Sequence, residues 1–111
     1  MNGSLVDLAK KLIPFLPEDW GAFVDGDVLR FRNFVDWAGK GVRLNDKSET
    51  PWFMNWLLDE IAKMGARPEL TYAEDGWYVR YYVTNTDSVF TDSYQTKTRV
   101  LIQAYLELKS G

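Results

Sequence analysis

Two alternating segments carry the residues best suited to recognition chemistry. Leu29 and Phe31 alternate with Val28, Arg30 and Arg32, and Val79, Tyr81 and Val83 alternate with Tyr78, Arg80 and Tyr82. Successive side chains of a strand point to opposite faces. The spacing therefore predicts Leu29, Phe31, Val79, Tyr81 and Val83 toward a core, and Val28, Arg30, Arg32, Tyr78, Arg80 and Tyr82 on the opposite face. Arginine forks fit phosphates and tyrosine rings stack on bases, so this face is a candidate nucleic-acid surface. The segment from Val28 to Lys47 adds five basic residues against two acidic ones. The competing reading is a solvated sheet face, or one covered by a helix with its arginines paired to carboxylates. The glycine-flanked aromatic run of an RNA-recognition sheet is missing.

A second constellation lies around Trp52 and Trp56. At 100° per residue, Phe53, Leu57, Ile61 and Met64 form a core stripe with Met54 and Leu58 beside it. The two tryptophans fall off that stripe, near Asp59 and Lys63. Either they pack within the domain, beneath the loop around Trp37, or they anchor a partner chain.

The acidic residues offer less. Asp25-Gly26-Asp27 has the look of a metal loop but lacks the spaced oxygen ligands that calcium requires. Paired carboxylates can run glycoside or phosphoester chemistry. Asp25, Asp27, Glu74 and Asp75, however, read as turn tips, where little desolvates them. The chain has no cysteine and no histidine. That removes thiolate chemistry and the commonest general base, and leaves Ser and Thr without a histidine activator. With no glycine-rich phosphate loop either, the expectation is a protein that is not an enzyme and uses no cofactor or metal.

The 111 residues suit one domain, 1–111, with a core of its own. Thirteen basic and sixteen acidic residues leave a net charge of −3, which argues against a surface wholly devoted to nucleic acid. No secretory signal and no apolar run long enough to span a bilayer is visible, so the expected location is cytoplasmic, with no membrane partner. Five Trp, six Tyr and six Phe make 15% of the chain aromatic, which fills a small core and also favours interfaces.

The elements that position these residues follow from local signals. Ser4 caps a first helix to Ile13, with Leu5, Leu8, Ala9 and Leu12 as its stripe, and Pro14 to Pro17 form a stiff connector. A hairpin runs from Gly21 to Val24 and Val28 to Phe34 around Asp25-Gly26-Asp27. Gly39-Lys40-Gly41 turns into a short strand, Val42 to Leu44, and Asn45 to Glu49 form a polar loop. Thr50-Pro51 opens a helix to Met64 that Gly65 closes. Leu70 to Ala73 and Trp77 to Thr84 make a second hairpin around Glu74-Asp75-Gly76, then a turn at Asn85-Thr86-Asp87 and an edge strand from Ser88 to Thr91. Asp92 with Gln95 resembles a capping box for a last helix through Leu108. The predicted fold is α+β, a single domain whose mainly antiparallel sheet of five or six short strands is packed by three helices.

At an offset of 50, Asp25-Gly26 falls on Asp75-Gly76, Leu29 on Val79, Arg30 on Arg80 and Phe31 on Tyr81. This is either an internal helix–hairpin repeat with halves 4–44 and 50–108, or two unrelated hairpins sharing turn chemistry.

From about Trp52 to Lys109 the chain resembles the small phage-encoded alpha–beta–alpha sandwich proteins. The resemblance rests on Ile61-Ala62-Lys63-Met64-Gly65, on Asp75-Gly76-Trp77-Tyr78-Val79, and on the closing helix Val100-Leu101-Ile102-Gln103-Ala104-Tyr105-Leu106. The closing helix lacks the run of small alanines such domains carry. What the resemblance implies is a phage or mobile-element accessory protein, with no functional residue to carry across. The leading expectation is a non-catalytic module that inhibits or adapts a host protein, such as a defence-system component. Its contacts would be Trp52, Trp56, Arg30, Arg32, Tyr78, Arg80 and Tyr82. Nucleic-acid binding by the arginine–tyrosine face is the alternative, and the edge at Ser88 to Thr91 offers a route to a homodimer.

Overall fold

The computed structural model describes residues 4–33, 41–44, 50–84, 86–94 and 96–110. Among them the fold is α+β, with three α-helices and six strands whose pairings are all antiparallel. The chain divides into two compact units, residues 1–48 and 49–111, and each contains one three-stranded meander.

In the first unit α1 (Leu5–Leu12) starts at Ser4, whose hydroxyl accepts the Asp7 N–H at 3.2 Å. That bond satisfies one of the donors a helix start leaves open. Leu5, Leu8, Ala9 and Leu12 are buried, as their spacing predicts. Two 3-10 turns follow, Ile13–Phe15 at the start of the Pro14 to Pro17 connector and Glu18–Trp20 just after it. β1 (Ala22–Asp25) and β2 (Val28–Phe31) then pair through a two-residue loop, with Asp25 opposite Val28. Gly26 opens the loop at φ +63°, a conformation that costs a residue bearing a Cβ. β3 (Val42–Arg43) pairs with β2, placing Val42 opposite Leu29. Leu29, Phe31, Val42 and Leu44 are buried.

In the second unit α2 (Pro51–Lys63) has Thr50 before it and proline at its first position, although the Thr50 side chain makes no capping bond. Phe53, Leu57 and Ile61 are fully buried, but Met64 is 37% exposed because the helix ends one residue earlier. β4 (Glu69–Ala73), β5 (Gly76–Tyr82) and β6 (Ser88–Phe90) form the meander. α3 (Lys97–Ser110) packs against β5, and α2 packs against α3.

Besides Met64, two further expectations need correction. Val83 is 53% exposed rather than inward. β5 ends at Tyr82, and the chain turns where the Asp87 N–H meets Thr84 Oγ1 at 3.0 Å and the Val83 N–H meets the Asp87 carbonyl at 2.9 Å. Asp92 does not cap α3. Thr96 does, its hydroxyl accepting the Arg99 N–H at 3.4 Å. The sheet continues past Asp92 to Tyr94, which exchanges backbone bonds with Trp77 at 2.7 and 2.9 Å. Since Thr91 bonds Val79, Asp92 and Ser93 together stand opposite the single residue Tyr78, a bulge that bends the strand. Phe34, Trp37, Gly39, Lys40, Asn45 to Glu49, Asn85 and Gln95 lie outside the described residues.

The hairpin loops relate the two meanders by 48 positions, Asp25–Val28 to Ala73–Gly76, whereas the matching residues lie 50 apart. Two residues are one full pleat, so inward and outward positions coincide under either offset.

Candidate functional site

The predicted surface divides between the two units. Arg30 belongs to the first sheet, with Arg32 just beyond the end of β2, and Tyr78, Arg80 and Tyr82 belong to the second.

In the second sheet Val79 and Tyr81 are buried, and the Tyr81 hydroxyl donates to the Glu107 carboxylate of α3. Burial first, and that bond second, hold the Tyr81 phenol well above its ordinary pKa. The opposite face points away from α3. Tyr78, Arg80 and Tyr82 lie on it, with their cross-strand partners Thr71, Glu69, Phe90 and Ser88. Arg80 Nη2 bonds Glu69 Oε2 at 2.6 Å, directly across the ladder. Tyr78 and Phe90 lean together with ring centroids 5.8 Å apart. The Tyr82 ring is approached by Arg67 at 4.4 Å and by Arg80 at 5.6 Å. Phe90 is 60% exposed on this face.

In the first sheet Arg30 stands opposite Phe23 and reaches Asp25 at 3.1 Å. Arg32 continues past the strand and lies over the Phe23 ring at 4.5 Å. Arg43 of β3 pairs with Val28 and is exposed. Three guanidiniums thus share this face with one described carboxylate. A shallow groove in the same unit, of about 400 Å³, is lined by Ile13, Pro14, Leu16, Pro17, Glu18 and Gly21, with exposed Glu18 its one titratable side chain.

Trp52 and Trp56 are half-buried. Trp56 stacks on Phe53 at 6.2 Å and 11° and meets Tyr105 of α3 at 5.9 Å, while Trp52 meets Phe53 edge-on at 5.6 Å. Burial, with Glu60 contributing less, raises the Tyr105 phenol pKa. The tryptophans are thus held in an aromatic layer of their own unit.

Asp25, Asp27, Glu74 and Asp75 are all exposed, as turn positions imply. Among the described residues, no three His, Cys, Asp or Glu side chains gather to hold a metal. Nor, among them, is any helix long and apolar enough to cross a membrane. Compared with known proteins, the chain matches no family model, no curated protein and no solved structure.

Sequence reasoning missed Phe90 and Arg67. A three-residue strand offers too little alternation to assign a face. The Arg67 contact depends on a backbone turn that composition does not reveal.

Proposed function

We propose that the protein is a non-catalytic module that binds a partner polypeptide through the face of the second sheet turned away from α3. Phe90 carries this reading. Its ring is 60% exposed beside Tyr78 and Arg80, although burying a side chain of this size stabilises by about 1.5–3 kcal/mol. Tyr, Phe and Arg are the types enriched at the centres of protein interfaces. Glu69 answers one of the two arginines on the face, so the surface is apolar and nearly balanced in charge. Trp52 and Trp56, stacked within their own unit, support the reading less strongly.

An inhibitor or adaptor of a host protein, acting in the cytoplasm, fits a chain that offers surface rather than catalytic groups. The resemblance to phage alpha–beta–alpha sandwich proteins supports the same role. The test is capture from nuclease-treated bacterial lysate with tagged protein, alongside Phe90→Ser. A stoichiometric protein retained after nuclease and lost with Phe90→Ser is expected. Capture that nuclease abolishes, or that Phe90→Ser leaves intact, contradicts the reading.

The first sheet supports a second reading. Arg30, Arg32 and Arg43 against Asp25 favour a polyanion, and a nucleic acid bound there would weaken steeply as salt rises, because each neutralised phosphate releases counterions. Affinity for a single-stranded oligonucleotide that is flat from 50 to 200 mM salt, roughly the range over which such binding collapses, rules this out.

A further inference from the structure

Arg67 has an unusual backbone. Its φ is +45°, and it is the one described non-glycine residue in the left-handed region. Side chains with a Cβ avoid that region, and where it persists the surroundings must enforce it. The enforcement is visible here. Gly65 at φ +81° ends α2, Pro68 follows Arg67, and between them the Ala66 carbonyl accepts the Tyr82 N–H at 2.8 Å. The tight turn from helix into β4 pins Arg67 at the rim of the open sheet face. Its guanidinium lies over the Tyr82 ring at 4.4 Å.

The charge pattern of this face points to the same residue. Arg80 has Glu69, but Arg67 meets no carboxylate among the described residues. It also shares the Tyr82 ring with Arg80, so two like charges are held near each other while one acid serves only one of them. A guanidinium held over a ring still has N–H groups to donate, and its fork matches the two oxygens of a carboxylate.

We infer that Arg67 is a specificity-determining residue of the open face, receiving a carboxylate side chain of the partner while Phe90 and Tyr78 take an adjacent apolar residue. This rests on the protein-binding reading above. A polypeptide is favoured over nucleic acid because exposed Glu69, Asp87 and Asp92 lie on or beside the strands of this face. Together they offset the two arginines, so the face offers no excess of positive charge to a chain carrying one charge per nucleotide, whereas Arg67 can still receive an isolated carboxylate.

The test selects a displayed library of random twelve-residue peptides on the full-length protein and re-measures the winners on Arg67→Asn and Arg67→Lys. Asparagine tolerates the left-handed backbone better than other non-glycine residues, so Arg67→Asn keeps the turn and removes the cation. The expected winners carry Asp or Glu at a fixed spacing from an apolar or aromatic residue. Arg67→Asn weakens them about 10-fold or more, the effect of losing a charged hydrogen bond. Arg67→Lys retains part of the affinity, and melting temperatures stay close to the parent's. Winners without acidic preference, or equal affinity in Arg67→Asn, overturn the role of Arg67 and leave the protein-binding reading standing. Failure to select any peptide whose binding Phe90→Ser weakens, or a dT15 oligonucleotide that outcompetes the winners, overturns both.

Discussion

The two meanders share a strand order and an inward–outward pattern, yet their outward faces differ in kind. The first presents Arg30, Arg32 and Arg43 around one aromatic, Phe23. The second presents Tyr78, Tyr82 and Phe90 around an arginine already matched by Glu69. The inward faces differ as well. Phe31 of the first sheet packs edge-on against Trp20 at 5.6 Å, whereas Tyr81, fifty residues on, has a hydroxyl that α3 answers with Glu107. A polar atom is tolerated inside the second unit because a third helix supplies its partner. One backbone plan thus carries two surface chemistries, decided by a few side chains and one added helix.

The largest expected effect removes what α2 contributes to the second unit. Phe53 is fully buried and stacks on Trp56, so Phe53→Ala should cost about 3–5 kcal/mol. Chemical denaturation monitored by tryptophan fluorescence measures it. A loss below about 1 kcal/mol would mean that the aromatic layer is not part of the core.

Making the second hairpin more like the first gives a smaller effect. Tyr81→Phe removes the hydroxyl and leaves Glu107 with one partner fewer, costing about 1–2 kcal/mol at neutral pH. Its pH dependence has a definite sign. Because the folded pKa of Tyr81 lies above the usual value near 10, its stabilising contribution is complete below pH 10 and is lost as pH rises beyond it. Stability curves of parent and variant should therefore converge in alkali. Divergence above pH 10 would contradict the assignment.

α3 also carries a conflict. Thr98 is 1% exposed, and its hydroxyl has no hydrogen-bond partner among the described residues. Thr98→Val, nearly the same shape, should stabilise by about 1 kcal/mol. Destabilisation would reveal a partner for that hydroxyl.

The smallest effect sharpens the surface comparison. The Arg30–Asp25 pair is partly exposed, and such pairs contribute about 0–1 kcal/mol. Asp25→Asn should therefore leave stability almost unchanged while making the first face more cationic. A rise in oligonucleotide affinity would favour the second functional reading.

Much of this arrangement was legible in the residues. Alternation placed Leu29, Phe31, Val79 and Tyr81 inward, and helical spacing placed Leu5, Leu8, Leu12, Phe53, Leu57 and Ile61. Those positions depend on local periodicity alone. What periodicity could not carry was long-range or conformational. Val83 looked inward only if the strand continued, and the Thr84–Asp87 turn stops it. Asp92 looked like a cap, but the bulge at Asp92-Ser93 spends it inside the sheet and leaves capping to Thr96. Trp56 lies off the helical stripe yet is packed, because its neighbour Tyr105 comes from α3, almost fifty residues away in sequence. Strand parity puts the arginine–tyrosine set on one face, but parity says nothing about which sheet a strand joins.

The most direct test of which face binds uses a photo-crosslinking phenylalanine analogue placed at position 90 and, separately, at position 43, with irradiation in bacterial lysate. Specific crosslinks to one protein from position 90, and none to it from position 43, are the predicted result. Crosslinks from position 43 alone, or adducts that nuclease digests, would contradict it.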